Sequence, residues 1–375
     1  MNTAPPTRNL SMFTAGQLGD FSQFDLVIDV RSPTEFALDH VPGAINLPVL
    51  DDAERAKIGT LHKQVSPFEA KRHGAAIVAR RIGQMLTDPA FEQPRDWRPL
   101  VMCWRGGKRS GSLTHILRQI GWPAMQLDGG YRAYRALVND ALTALPPQRQ
   151  FVVLAGRTGS GKSRLLAALS SAGAQVLDLE QLANHRGSVL GGMLDAPQPS
   201  QKWFESQLQA KLAEFNPSKP IFVESESKKI GDLRVPEALM QQMRASPCAI
   251  IETGEAVRVE LLMQEYAHFL HDNTALSRQL ACLVSLHGRA KIDHWNSLGS
   301  SGHWAPLVQE LLRDHYDPAY DRSMARNFTQ LDSARTFSLR DASDASFDAL
   351  GRDIIDAYRN NAERAAVPIT ATLAG

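Results

Sequence analysis

The residues best suited to do chemistry stand in Val101-Met-Cys-Trp-Arg-Gly-Gly-Lys-Arg-Ser110. Cys103 is followed by a Gly-Gly turn and by three cations, Arg105, Lys108 and Arg109. A short apolar run, residues 98–102, reads as a strand, and residues 112–120 carry a helical pattern. A thiol set between them lies among loop N–H groups at a helix N-terminus. Oriented amides and positive charge favour thiolate over thiol there, which makes the sulfur a ready nucleophile. A buried structural cysteine is the alternative, since free cysteines are commonly buried. The glycines and cations argue for the nucleophile, with Arg105 and Arg109 beside it.

A second constellation is Gly156-Arg-Thr-Gly-Ser-Gly-Lys-Ser163, placed between an apolar strand pattern at 151–155 and a helical run at 165–169. This is a full G-x-x-x-x-G-K-S in the strand-to-helix context that confirms a P-loop. Gly156, Gly159 and Gly161 permit a tight backbone path. With Ser160 they let loop amides wrap a diphosphate, which Lys162 neutralises, while Ser163 can hold Mg²⁺. What the loop cradles is a separate question. A strand at 174–180 ends in Asp178 and Glu180 and leads to a loop bearing His185, Arg186 and Gly187, apt for a second substrate. Another apolar strand opens onto Glu224, Glu226, Lys228 and Lys229. Glutamates thus stand where a P-loop hydrolase offers an aspartate to Mg²⁺, which argues against ordinary nucleotide hydrolysis. The last strand expected, 248–252, precedes a helix whose Arg258 either reaches the phosphates or lies on the surface.

Strands must deliver these loops and helices must follow them. Residues 24–30 read as a buried strand, 35–38 as a short helix, and a Pro-Gly turn at 42–43 leads into another strand. Residues 125–134 give a strand, a Gly-Gly turn and a helix start. Strands alternating with helices imply α/β architecture with parallel sheets and chemistry at the strand C-termini. At 375 residues the chain calls for two domains. Their expected bounds are 12–140 and 151–355, with a linker at 141–150 stiffened by Pro146-Pro147 and a tail at 356–375 that frays from Ala365 to Gly375. An insertion at about 51–97 carries an amphipathic helix with paired cations. Lys71, Arg72, Arg80 and Arg81, together with Lys63, either follow a phosphate backbone or form a solvated face. Residues 315–320 read as a helix end and turn.

Composition narrows the setting. Apolar content of 43% and charged content of 22% are those of a soluble globular protein, and a net charge of +1 gives no global argument for nucleic acid. Three scattered cysteines make no disulfide framework and suit a reducing, cytoplasmic setting. Neither a signal-peptide core nor a bilayer-spanning run is expected. His287, His294, His303 and His315 with Cys282 fit no zinc spacing, so no specific metal site is expected.

Asp29-Val-Arg31, His40-Val-Pro-Gly-Ala-Ile-Asn46, the Cys103 loop and Asp128-Gly-Gly130 resemble, in order, the motifs of a rhodanese domain. That resemblance implies a Cys103 that carries sulfur or selenium as a persulfide or perselenide, with Arg109 as counter-charge. A rhodanese domain followed by a P-loop domain resembles the tRNA 2-selenouridine synthase family over roughly residues 13–350. The segments 178–187 and 223–231 look like that family's signatures. The resemblance implies replacement of sulfur by selenium at C2 of the wobble uridine (position 34) in tRNAs for Lys, Glu and Gln. The 2-thio sulfur is first alkylated by geranyl diphosphate. Selenium from selenophosphate, carried on Cys103, then displaces the S-geranyl group. No tightly bound cofactor is implied beyond a dissociable Mg²⁺. The implied partners are the tRNA anticodon loop, which the two sites are expected to share, and an enzyme supplying selenophosphate, with no membrane. Two rivals stay open: a P-loop kinase or ATP-dependent sulfurtransferase with a rhodanese domain, and a non-catalytic persulfide carrier.

Overall fold

The computed structural model describes residues 11–187, 197–270 and 272–365. They form two compact units. One holds the described residues up to Ala141 together with Ser200–Ala210, and the other holds Leu142–Pro199 with the residues from Lys211 onward.

The first unit is built on β1 (Met12–Phe13), β2 (Leu26–Asp29), β3 (Ile45–Asn46), β4 (Pro99–Met102) and β5 (Met125–Leu127). They pair in parallel in the order β1-β5-β4-β2-β3. Every residue of β4 is buried, as a central parallel strand requires. The chain leaves β2 on one side and returns on the other as β4, and ligands gather at such a reversal. The helices are α1 (Pro33–Leu38), α2 (Asp52–Gln64), α3 (Pro67–Met85), α4 (Lys108–Ile120) and α5 (Gly130–Ala144). The inserted segment is therefore a helical hairpin. Asp51 caps α2 and Ser66 caps α3, each accepting from backbone N–H groups. Val78, Ile82 and Met85 anchor the far end of α3 in the core, while Val65 and Phe68 at the hairpin tip are 70% exposed.

The second unit follows the same logic with β6 (Phe151–Ala155), α6 (Lys162–Ser171), β7 (Gln175–Leu177), α7 (Leu179–Ala183), the last turn of α8 (Gln201–Glu214, whose residues up to Ala210 belong to the first unit), β8 (Ile221–Glu224), β9 (Lys229–Ile230), β10 (Leu233–Arg234), α9 (Glu237–Ala245) and β11 (Cys248–Thr253). Then come α10 (Glu255–Glu265), α11 (Asn273–Ala281), α12 (Val284–His287), α13 (Arg289–Ser300), α14 (Trp304–Leu311), α15 (Asp317–Asn327), β12 (Arg335–Leu339) and α16 (Asp344–Ala365). The main sheet is parallel in the order β12-β11-β6-β8-β7, which puts the P-loop after its central strand.

Several sequence expectations change here. The stretch 248–252 is not the last strand, because β12 pairs beyond it along the sheet edge. The linker is not an extended proline rod: α5 runs to Ala144 and Pro146–Gln148 make a short 3-10 turn. A tail beginning at 356 is also wrong for its first part. The helix α16 continues to Ala365, and the buried Tyr358 donates from its hydroxyl to the Cys248 carbonyl at 2.7 Å. Residues 366–375 lie outside the described residues. Residues 315–320 do not end a helix, since α14 passes through a π turn (Leu312–Tyr316) directly into α15. Pro318 follows that π turn directly, at the second position of α15.

Candidate functional site

Cys103 sits at the C-terminal end of β4, buried, with Gly107 as N-cap of α4. Its sulfur accepts from the Gly107 N–H at 3.3 Å and from the Ser110 hydroxyl at 3.1 Å. Gln126 explains that aim. Its amide donates to the carbonyls of Gly106 and Gly107 and, at 3.1 Å, to the Ser110 oxygen. A trans peptide points its C=O and N–H in opposite directions, so fixing the Gly106 carbonyl turns the Gly107 N–H toward the sulfur. The loop is wedged against Asp128-Gly-Gly130. A Cβ on Gly130, whose φ is +56°, would lie 2.1 Å from the Cys103 carbonyl, so glycine is required there.

The cations behave differently from expectation. Arg105 is exposed, and the Arg109 guanidinium is paired, donating to Glu35 at 3.0 Å. Burial would raise the Glu35 carboxyl, but the charge and hydrogen bond of Arg109 overcome it and hold Glu35 below its ordinary value. The anion-stabilising groups at Cys103 are therefore the loop N–H and the Ser110 hydroxyl. Asp29 and Arg31 lie deeper as a fully buried pair at 2.6 Å, with the Arg31 guanidinium donating to the Asp39 carbonyl. On the same unit His40 is sandwiched between Phe36 and Trp203, with centroids 3.8 and 3.9 Å away.

In the second unit the P-loop takes its expected form. Gly159 and Gly161 both have φ of +79°, and Ser160 is buried beneath the loop with no hydrogen-bond partner for its hydroxyl. Lys162 donates to the Gly156 carbonyl at 2.7 Å, and the Ser163 hydroxyl donates to Glu180 at 3.0 Å. Around them lies one large pocket that also takes in Asp178, His185, Arg186, Glu224 and Glu226. Carboxyls crowded in low dielectric cannot all ionise. Burial, then the charges of Asp178, Glu226 and Glu180, pushes Glu224 well above its ordinary value. Burial and the neighbouring Glu180 raise Glu226 to about 8, so it carries a proton at neutral pH. Burial also raises Asp178 and lowers His185, leaving that imidazole neutral. Such a pocket accepts an anion more readily than its carboxylate count suggests.

Some predicted residues stand elsewhere. Arg258 is not the surface residue that was the alternative, and it does not line the pocket around Lys162. It is buried and committed, donating to the Thr158 carbonyl at 2.9 Å and pairing with Asp317 at 3.0 Å. Lys228 pairs with Glu237 and Lys229 with Asp232, and neither lines the pocket. In the helical hairpin Arg72 pairs with Glu69, Arg80 with Glu54, and Arg81 with Asp51 and Glu54, while Lys63 and Lys71 are exposed. Local carboxylates thus neutralise the arginines expected to follow a phosphate backbone. The pocket also contains residues the sequence reading passed over. Tyr320 accepts the Gly156 N–H at 2.6 Å, while Glu265, Tyr266 and Tyr316 line the wall. The only signal for them was two tyrosines four residues apart, which one helix face explains equally well.

The described residues include no group of three or more His, Cys, Asp or Glu arranged to hold a metal, and none of their helices is long and apolar enough to cross a membrane.

Two family models match the chain: a rhodanese-like domain over residues 14–137 and a tRNA 2-selenouridine synthase AAA domain over residues 149–285. A tRNA 2-selenouridine synthase of Nitrosomonas europaea is 38% identical over 248 residues, covering 64% of this chain and 63% of the relative. One of Salmonella paratyphi A is 33% identical over 328 residues, covering 78% of this chain and 87% of the relative. Among solved structures, a rhodanese-related protein from Thermoplasma volcanium is 19% identical. It covers 34% of this chain and 91% of its own, with a TM-score of 0.22. On the strength of the Salmonella relative and of both domain matches in sequence order, this chain belongs to the tRNA 2-selenouridine synthase family.

Proposed function

We propose that this protein is a tRNA-modifying transferase that replaces the 2-thio sulfur of the wobble uridine by selenium. It uses geranyl diphosphate to alkylate the sulfur and selenophosphate as the selenium source. The observation that carries this reading is the pairing, in one chain, of a buried cysteine cradled by N–H and O–H donors with a diphosphate loop facing protonated carboxyls.

The first stage belongs to the P-loop. The thiocarbonyl sulfur attacks the allylic carbon, the C–O bond breaks, and the electron pair leaves with pyrophosphate. Loop amides, Lys162 and Ser163 stabilise that leaving charge, and Glu226 offers a proton to it. Should Mg²⁺ accompany the diphosphate, the Ser163 hydroxyl and Glu180, 3.0 Å apart, are hard oxygen donors of the kind that ion prefers. The second stage belongs to Cys103. Selenophosphate held at its loop attacks C2 through selenium, geranyl thiolate departs with the C–S electron pair, a far better leaving group than the original sulfur, and water cleaves the remaining Se–P bond to release phosphate. A splayed anticodon base suits such a transfer, since unpaired bases can enter a pocket.

The test is a 2-thiouridine anticodon stem-loop incubated with protein and geranyl diphosphate, with and without selenophosphate, its nucleosides weighed by mass spectrometry. The expected result is a geranyl adduct that becomes selenouridine when selenophosphate is added. Unchanged RNA together with ATP turnover would replace this reading by the kinase one. Unchanged RNA with no RNA affinity would favour the persulfide carrier.

A further inference from the structure

Beside the P-loop pocket lies a second, narrower cleft of opposite character. Its cavity volume is about 60 Å³, and its walls are almost wholly apolar. Leu262 and Met263 of α10 form one side, and Leu276, Leu307 and Leu311 the other. The cleft is the seam between two apolar clusters that do not merge. One is centred on Leu276, Trp295 and Leu307, and the other on Val259, Leu262 and Leu312.

This cleft is continuous with the diphosphate loop. Thr158, Leu262, Tyr266 and Tyr316 line both spaces. At the junction Leu262 packs on the loop itself, since a Cβ on Gly159 would stand 2.8 Å from its methyl group. The π turn Leu312–Tyr316 borders the same junction, and such turns often mark functional sites. An anion cradle opening directly into an apolar slot selects a ligand with a charged head and a hydrocarbon tail. A nucleoside does not fit that description. Its ribose and base would bring polar atoms into walls offering little beyond the Thr158 and tyrosine hydroxyls, and unpaired polar groups are costly to bury.

We propose that this cleft holds the hydrocarbon chain of the allylic diphosphate whose head sits on Lys162 and Ser163, and that its depth sets the chain length accepted. The proposal rests on the geranyl diphosphate reading above and adds where the chain lies.

Calorimetric titration of the full chain with pyrophosphate, dimethylallyl diphosphate and geranyl diphosphate tests it. Affinity should rise along that series, by at least a hundredfold from pyrophosphate to geranyl diphosphate, since removing only a few of the chain's CH₂ groups from water is worth that much. Leu307→Trp and, separately, Val308→Trp fill the slot. Each should erase at least tenfold of the geranyl preference while pyrophosphate affinity stays within about twofold. Geranyl diphosphate binding unchanged in both folded variants would overturn the placement and leave the proposed function standing. A wild-type protein with no preference for geranyl over pyrophosphate would overturn both. If neither variant folds, a diazirine-tipped prenyl diphosphate decides the matter on the wild type. Crosslinks within residues 262–269 or 304–316 support the cleft, and crosslinks only elsewhere refute it.

Discussion

Cys103 and Lys162 occupy different loops, so each can be removed without dismantling the other's surroundings. In Lys162→Ala, S-geranylation should fall by at least a hundredfold, because the leaving diphosphate loses its principal cation. In Cys103→Ser, geranylation should persist while selenouridine formation stops. Loss of geranylation in the cysteine variant, followed by mass spectrometry of the nucleosides, would contradict that division of labour. Glu226 supports a second prediction. Its folded value of about 8 lies above the ordinary 4.5, so the native state binds a proton that the unfolded state has released. Stability therefore falls as pH rises from about 4.5 through 8 and then levels off. In metal-free buffer, Glu226→Gln should flatten the decline in melting temperature between pH 5 and 8. Parallel curves for variant and wild type would refute the assignment. At this scale the sequence was informative wherever spacing alone defines the chemistry, as in the P-loop. It could not show the partners of Arg109 and Arg258, because a cation's partner is a tertiary matter: Glu35 and Asp317 lie far from them along the chain.

Among the elements, the glycine turn after β5 is the least replaceable. Gly130→Ala puts a methyl group on the Cys103 carbonyl at a left-handed φ, which should cost about 1–3 kcal/mol and misalign the sulfur. Denaturant titration together with selenouridine yield would check it, and wild-type values for both would count against the role given to that turn. The helix α15 holds the P-loop from another direction, with Asp317 on Arg258, Asp321 on Arg157 and Tyr320 on the Gly156 N–H. Asp317→Ala leaves the Arg258 guanidinium buried without its carboxylate, a loss of about 3 kcal/mol. A midpoint shift under 1 kcal/mol in urea would contradict this. Buried parallel strands were legible as apolar runs, and β6 was bounded to the residue. The strand β12 was not. Its Arg335, Thr336 and Ser338 are exposed on the sheet edge, so only Phe337 and Leu339 alternate inward, a pattern too short to read as a strand.

At the scale of the whole chain, the two-domain order was legible from motifs and a proline pair, but the true partition was not. Ser200–Ala210 belongs to the first unit although more than fifty residues separate it from that unit's last helix. Its Trp203 stacks on His40, and its Glu205 pairs with Arg135, which also faces the buried Asp39 at 3.7 Å. No composition shift marks such a return, because local sequence reports only that α8 is a helix. A fragment of residues 1–141 would lack those partners. It should melt well below the same unit in the full chain when followed by calorimetry, and equal melting temperatures would argue that the returning segment is dispensable.

The π turn between α14 and α15 has a consequence for how this protein can tolerate change in length. Such a turn is equivalent to one extra residue accommodated in an otherwise regular helix. A single residue could be removed from Leu312–Tyr316 with the helix beyond it kept in phase, whereas one removed from the regular turns of α14 would rotate everything beyond it by about 100°. Tyr320 would swing off the Gly156 N–H and Asp317 off Arg258, although neither side chain had been altered. In this part of the molecule, frame along the helix matters as much as residue identity, and a one-residue deletion in α14 should be far more damaging than one in the π turn.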